Sequence, residues 1–118
     1  MVKKQYITKD SGKRHEESNG YVRDTQEGKP RFNLMLIKGL PYEEQPLTLF
    51  AELLSRGAEK YNDRNWENAC SEIALERAKE SLLRHCVQAC CGEEDEDHLS
   101  AIMFNAFLIR NIKIKLKK

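Results

Sequence analysis

A run of five acidic residues, Glu93 to Asp97, separates two segments whose apolar residues repeat at the helical period. The first segment begins at Ser71, a residue type that often caps a helix N-terminus, and ends before Gly92, a common helix terminator. The second segment extends from about Asp97 to Ile109. Because both flanking segments repeat at 3.6 residues, the pattern predicts two amphipathic helices joined by a highly charged loop.

A further amphipathic helix is predicted from residue 47 to residue 60, directly after Pro41 and Pro46. Three predicted helices and no long strand pattern favour an all-α fold, a helical bundle formed by one domain over residues 29–118. The predicted buried faces are Ile73, Ala74, Ala78, Leu82, Cys86 and Ala89 in the second helix, and Leu99, Ile102, Met103, Ala106 and Ile109 in the third.

Both ends of the chain predict non-helical structure. Residues 1–28 have a mixed charge and few apolar side chains, so we expect an extended, flexible N-terminal arm; the apolar residues there are Val2, Tyr6, Ile7, Tyr21 and Val22. Residues 29–34 read as extended backbone leading into the fold. Residues 112–117 alternate between apolar side chains and lysine, which predicts a short C-terminal strand or edge segment, although the lysines would equally suit the end of the preceding helix.

Length and charge limit the possible functions. A chain of 118 residues forms one domain of ordinary size, so a deep substrate pocket is expected to need a second subunit. The formal charge of +1, from 20 basic and 19 acidic residues, gives no general attraction for nucleic acid or for a membrane surface. No apolar run is long enough to cross a bilayer, and the four cysteines are expected as reduced thiols of a cytoplasmic protein.

The carboxylates suggest a metal site. Glu76 and Glu80 lie four residues apart, and Glu94 and Asp97 lie three residues apart in the next element, so each pair falls on one helical face. Mg²⁺ prefers hard oxygen ligands, and carboxylates from two adjacent helices facing a phosphate chain would provide them. The alternative is a solvated helix face followed by a first turn that favours the helix dipole.

Other polar and aromatic residues have two interpretations each. His85 lies beside the apolar row of its helix, where burial would lower its pKa and leave a neutral imidazole that accepts a proton, or simply a satisfied core histidine. Arg84 would clamp a phosphate or pair with Glu80. Trp66, with Tyr61 nearby, would stack on a nucleobase or close a loop over the core. Cys86 and Cys90 lack the usual spacing of a zinc site, although zinc is a weaker alternative.

Four short motifs resemble those of the phage dATP/dGTP diphosphohydrolases, a MazG-like branch of the all-α nucleoside triphosphate pyrophosphohydrolases. They occur in order along residues 29–110: Lys-Pro-Arg-Phe-Asn-Leu at 29–34, Gly-Ala-Glu-Lys-Tyr-Asn-Asp-Arg-Asn-Trp at 57–66, Ser-Leu-Leu-Arg-His at 81–85, and Gly-Glu with Asp-His-Leu and Phe-Asn within 92–105. The resemblance implies a MazG-like helical bundle, an obligate homo-dimer or homo-tetramer, and Mg²⁺- or Mn²⁺-dependent hydrolysis of a purine (deoxy)nucleoside triphosphate to the monophosphate and pyrophosphate.

The resemblance also implies roles for individual residues. It suggests metal ligands among four acids, a proton acceptor and a phosphate-binding cation on the second helix, and substrate contacts elsewhere. The implied catalytic residues are His85 and Arg84, the metal ligands Glu80, Glu93, Glu94 and Asp97, and the substrate-binding residues Arg31, Lys60, Asn65, Trp66, His98 and Asn105. Asn33 stands where the family pattern has an aspartate, so no charged role is expected there.

Two other functions are compatible with the sequence. The same fold would serve as a nucleotide-binding sponge or regulatory factor without turnover. A small helical interaction protein, whose charges only keep it in solution, is the other alternative.

Overall fold

The computed structural model describes residues 5–118, which form two compact units, one ending at Asn33 and the other beginning at Leu34. Val2, expected in the N-terminal arm, lies outside the described residues. No helix in the described part of the chain combines the length and apolar character needed to cross a membrane. The helices of the second unit are α1 (Pro46–Lys60), α2 (Glu72–Cys90) and α3 (His98–Leu116), and short 3-10 helices occupy Phe32–Met35, Tyr42–Glu44 and Asn65–Asn68.

The first unit contains an antiparallel hairpin of β1 (Arg14–Glu16) and β2 (Val22–Asp24). Its turn is closed by the Glu17 N–H, which donates to the Tyr21 carbonyl at 2.8 Å, and by Gly20 in a left-handed conformation (φ +91°). An extended arm was the prediction for this region. The apolar pattern did not predict the hairpin, because its three-residue strands are almost wholly exposed and bury no alternating apolar face.

Side-chain caps begin two of the three helices. The Ser71 hydroxyl accepts a hydrogen bond from the Ala74 N–H at 3.1 Å, which confirms the predicted start of α2. The Asp97 carboxylate caps α3 in the same way, accepting from the Ser100 N–H at 3.0 Å. Gly92 follows the end of α2 with a φ of +80°, the left-handed conformation that makes glycine a helix terminator.

The predicted C-terminal strand is wrong, because α3 continues to Leu116. Ile112 is fully buried and packs with Leu75 and Ala78 of α2, so burial on one helical face outweighs the local alternation. The lysines of the last turn lie where the helix dipole favours positive charge. The interpretation of these lysines as helix-end residues therefore fits better than an edge segment.

The predicted inner face of α3 is also largely wrong. Leu99 is 68% exposed and Met103 is 38% exposed, whereas His98, Ala101 and Asn105 are buried. The reason is that α3 is apolar around most of its circumference, so periodicity alone does not select the face that packs. On α2, Ala78 is buried as predicted, but Ile73 is exposed and Leu75 and His85 are buried in addition.

The segment before α1 is held by one buried glutamine. The Gln45 side chain accepts from the Ile37 N–H and donates to the carbonyls of Ile37 and Leu40, each at 2.8 Å. The extended backbone predicted before this point is instead a 3-10 helix from Phe32 to Met35. Exposed apolar side chains there give an alternating pattern without forming a strand.

Candidate functional site

A groove of about 510 Å³ in the second unit brings together side chains from all three helices and from the acidic loop. We call it the acidic groove. Because α3 packs against both α1 and α2, residues distant in sequence converge there. The groove is lined by Leu53 and Arg56 of α1, Ser81 and His85 of α2, Asp95, Glu96 and Asp97 of the loop, and Ala101, Phe104 and Asn105 of α3.

Two histidines and an aspartate form a chain of hydrogen bonds beside this groove. His85 Nδ1 lies 2.9 Å from His98 Nδ1, and His98 Nε2 lies 2.8 Å from Asp95 Oδ1. Both imidazoles are buried, while the carboxylate is exposed. Buried polar side chains normally have hydrogen-bond partners of this kind. This hydrogen-bond chain runs from the interior of the α2–α3 contact to the exposed carboxylate.

Two members of this hydrogen-bond chain have lowered pKa values. Burial lowers the pKa of His85, and the positive charge of Arg84 lowers it further, so the imidazole is neutral at pH 7. This is the direction predicted for a histidine beside the apolar row. The hydrogen bond from His98 lowers the pKa of Asp95, so this carboxylate is ionised.

Asn105 is a buried amide that also lines the acidic groove. Its Nδ2 atom donates to the Ala101 carbonyl one turn earlier, at 2.8 Å. The amide is thereby held against its own helix, at the same groove as His85.

A second groove, which we call the wide groove, has a volume of about 1150 Å³ and adjoins the first. Leu53, Arg56, Glu96 and Phe104 line both. The wide groove is mainly apolar but carries several cations and amides. Its further lining residues include Lys60, Tyr61, Asn62, Arg64, Asn65, Trp66, Asn68, Phe107 and Leu108.

Trp66 packs against the core and also lines the wide groove. Its ring meets that of Phe107 edge-to-face, with centroids 4.8 Å apart, and Phe107 meets Phe50 in the same way at 5.8 Å. Such pairs contribute about 0.5–1.5 kcal/mol beyond the area they bury. The structure therefore supports the loop-closing interpretation of Trp66, and the same side chain lines the wide groove.

The loop before Trp66 contains two non-glycine residues with positive φ. Asn62 has a φ of +146° and Arg64 a φ of +58°. Such conformations cost on the order of 1–3 kcal/mol each and tend to occur where a site requires them. Arg64 is held by an ion pair with Glu67 at 3.1 Å. Both residues line the wide groove.

Six of the twelve predicted site residues line one of the two grooves. His85, Asp97 and Asn105 line the acidic groove, and Lys60, Asn65 and Trp66 line the wide groove. His98 is buried, lies within hydrogen-bond distance of His85, and lines neither of these grooves. Arg31 lies in the first unit, where it lines a separate groove of about 690 Å³ with Arg14, Arg23 and Lys29.

The remaining four predicted residues are exposed and line neither of the two grooves: Arg84, Glu80, Glu93 and Glu94. The guanidinium of Arg84 lies 3.4 Å from the Ser81 hydroxyl rather than on Glu80. Glu76 pairs with Lys79 at 3.2 Å. The two predicted acidic rows therefore do not meet in a single chain.

The residues of one chain form at most part of a metal site. Between residues 5 and 118, no three His, Cys, Asp or Glu side chains are placed to hold an ion together. Mg²⁺, however, is usually held by one or two carboxylates, water and substrate phosphates. Glu96 and Asp97 fit that smaller requirement, since both line the acidic groove and Asp97 caps α3 through only one oxygen.

Three charged residues of the acidic groove were not predicted as site residues: Arg56, Asp95 and Glu96. Arg56 lies one helical turn before Lys60, and that spacing on the polar side of a predicted helix was the available signal. Asp95 lies three residues before His98, but the loop geometry that joins them could not be read from spacing.

The sequence model of the family described as dATP/dGTP diphosphohydrolase, N-terminal, matches residues 19–118. The chain belongs to this family. No curated protein and no solved structure matches the chain. The diphosphohydrolase match includes both grooves, the acidic loop and the histidine pair, and it starts within the first unit. The family's name describes a hydrolase that acts on the phosphoanhydride bonds of dATP and dGTP.

Proposed function

We propose that the protein hydrolyses a purine deoxynucleoside triphosphate, such as dATP or dGTP, to the monophosphate and pyrophosphate, with Mg²⁺ or Mn²⁺. The observation that carries this proposal is the junction of the two grooves. An acidic groove with a neutral histidine adjoins an apolar groove with aromatic and cationic residues, as a nucleotide with a charged and an aromatic end requires.

The wide groove suits the base and the sugar. Trp66 offers an aromatic face, and Asn65 offers an amide that can hydrogen-bond a base edge. Arg56 and Lys60, one turn apart on α1, would bind phosphate oxygens where the two grooves join. This orientation directs the triphosphate towards the acidic groove.

The acidic groove suits the metal and the reaction. Glu96 and Asp97 would hold the ion, with Glu80, Glu93 and Glu94 as further candidates if another subunit completes the site. The metal, when bound, supplies charge neutralisation for the triphosphate. Asn105 would orient a phosphate or sugar oxygen from the groove wall.

His85 is the proposed proton acceptor. It lines the acidic groove and is neutral because burial lowers its pKa, so its free nitrogen can take a proton from an attacking water. Arg84 lies on the adjacent position of α2, faces neither groove, and acts on this reaction through its charge, which helps keep His85 neutral.

We further propose that the protein functions as a homo-dimer or homo-tetramer. Leu83 and Val87 are about 60% exposed on α2, and helical spacing puts them on the same face as Glu76 and Glu80. Neighbouring exposed apolar side chains of this kind can mark a protein–protein interaction surface. A second copy covering this face would also bring the exposed carboxylates of α2 into an interface.

The test is to incubate the purified protein with dATP, dGTP and other nucleoside triphosphates, in Mg²⁺, in Mn²⁺ and in chelator. Separation of the nucleotides should show monophosphate and pyrophosphate, dependent on metal and largest for the purine substrates. Unchanged triphosphate that remains bound would instead support a binding factor. If no nucleotide is hydrolysed and none raises the melting temperature, the interaction-protein alternative is favoured.

A further inference from the structure

The contact between His85 and His98 requires the two imidazoles to adopt different roles. Their Nδ1 atoms lie 2.9 Å apart, so one must carry a proton and the other a lone pair. Two N–H groups would repel each other, and two lone pairs would leave the contact without a proton. The tautomer of one ring therefore determines that of the other.

Asp95 decides which ring is the donor. A carboxylate only accepts hydrogen bonds, so His98 Nε2, 2.8 Å from Asp95 Oδ1, must carry a proton. When that is the ring's single proton, His98 has a lone pair at Nδ1. His85 must then donate through its own Nδ1–H, and its Nε2 is left unprotonated.

The unprotonated nitrogen belongs to a residue that lines the acidic groove. His85 lines that groove, and its Nε2 has no hydrogen-bond partner among residues 5–118. Across the same residues, Gln88 Oε1 is the only fully buried side-chain nitrogen or oxygen without a partner. The Nε2 atom is therefore accessible rather than sealed in the core.

We infer that Asp95 and His98 are positioning residues that hold His85 in the tautomer with its basic Nε2 facing the acidic groove. This inference rests on the proposed hydrolase function for its catalytic consequence. In that reaction, the oxygen of water forms a bond to the α-phosphorus while its proton passes to His85 Nε2. The bond between the α-phosphorus and the bridging oxygen breaks, and pyrophosphate leaves with the electron pair.

The positive charge that forms on His85 is stabilised by the hydrogen bonds through His98 to Asp95. As Nε2 gains the proton, the Nδ1–H becomes a stronger donor to His98, which in turn donates to the Asp95 carboxylate. Asp95 thus stabilises the imidazolium of His85 through His98, without touching the substrate. This differs from the substrate-binding role that the resemblance implies for His98.

Nitrogen NMR of the histidine side chains tests the tautomers directly, without nucleotide or metal. Imidazole-labelled protein should show His85 protonated at Nδ1 and bare at Nε2, and His98 with the opposite assignment. His15→Gln, on the exposed strand β1, identifies the third signal. Observation of His85 protonated at Nε2 in the native protein would overturn the inference, whatever the enzymatic activity is.

Asp95→Asn provides the activity test, because the amide can donate to His98 Nε2 and so reverse the whole chain. His85 should then carry its proton at Nε2, and kcat should fall by about 10²- to 10⁴-fold, the scale of a misplaced proton acceptor, with little change in KM. Asp95 is exposed, so the melting temperature should stay near that of the native protein. Glu59→Gln, an exposed acid outside both grooves, should leave the tautomers and kcat unchanged.

His98 variants separate positioning from packing. His98→Asn keeps an acceptor oxygen near the position of Nδ1 and should retain more activity than His98→Leu, which has none. Equal kcat values for native protein and Asp95→Asn, with unchanged tautomers, would overturn the inference. Absence of turnover in the native protein would contradict the proposed function alone, since the NMR result stands independently.

Discussion

The amide of Asn111 on α3 joins the loop of Trp66 to the helix that faces both grooves. Its Nδ2 atom donates to the main-chain carbonyl of Trp66 at 3.2 Å and to that of Ala69 at 3.3 Å. The two acceptors flank the end of the 3-10 helix Asn65–Asn68. One half-buried side chain therefore binds two carbonyls and holds the loop of Trp66 against α3.

Replacing this amide should loosen the loop. Asn111→Leu removes both hydrogen bonds; the Trp66 carbonyl keeps the Ala69 N–H as a donor, but the Ala69 carbonyl loses its side-chain donor, so the free energy of unfolding should fall by about 1–3 kcal/mol. If the loop binds the nucleotide, KM should also rise. Urea denaturation measures the first effect, with Arg110→Leu, an exposed neighbour, as the control. Equal stability of the two variants would contradict the bridging role.

Ile112 is the most buried large side chain of the α2–α3 contact. Ile112→Ala should lower the free energy of unfolding by about 2–5 kcal/mol, since it removes core contacts and leaves a cavity. Ile114→Ala, at a position that is 50% exposed, should cost much less. If the C-terminal segment were a strand, residues 112 and 114 would share one face, and the two variants would have similar effects.

The free energy of unfolding should decrease as the pH falls below about 6.5. Burial lowers the pKa of His85 from its ordinary value of 6.5, so below that pH the unfolded chain binds a proton that the native chain does not. Above pH 6.5 the burial of neutral His85 costs no stability. The free energy of unfolding then declines as the pH falls from 6.5 towards the lower pKa of His85 in the native protein. Denaturation curves between pH 8 and pH 5 should show this slope. His85→Gln should reduce it, whereas His15→Gln, exposed on β1, should not.

Arg56 should contribute to nucleotide binding because it lines both grooves. Arg56→Ala is expected to raise KM for dATP or dGTP by about 10- to 100-fold, the equivalent of one charge-assisted hydrogen bond. Arg77→Ala on the exposed side of α2 is the control and should leave KM near the native value. Steady-state kinetics measures KM for both variants. Equal KM values would show that Arg56 does not contribute to nucleotide binding.

The exposed surface of α2 around Leu83 and Val87 should be covered by a second copy of the chain. Val87→Glu introduces a charge into that face and should convert the native oligomer to monomer in analytical ultracentrifugation. Arg77→Glu changes the charge of the same helix outside this face and should leave the oligomer intact. A native protein that sediments as a monomer would contradict the proposed assembly.

Local signals predicted α1 and α2 well, because their ends depend on neighbouring residues. Ser71 caps α2 through its own hydroxyl, and Gly92 follows it with the left-handed backbone that glycine favours. The end of α3 could not be predicted in this way. Its last turns are helical because Ile112 finds a buried position against Leu75 and Ala78, which lie more than thirty residues away.

The family, the helical character and the candidate chemistry of His85, Asp97, Lys60, Trp66 and Asn105 were determined by the sequence alone, since motifs and helix signals are local. Only the tertiary structure decided which of these residues meet. It buried His98 behind His85, left Glu80 at the surface and brought Arg56 to both grooves. The physical reason is that α3 is apolar on nearly every side, so its orientation is selected by packing against α1 and α2 and by the polar partners that His98 finds there.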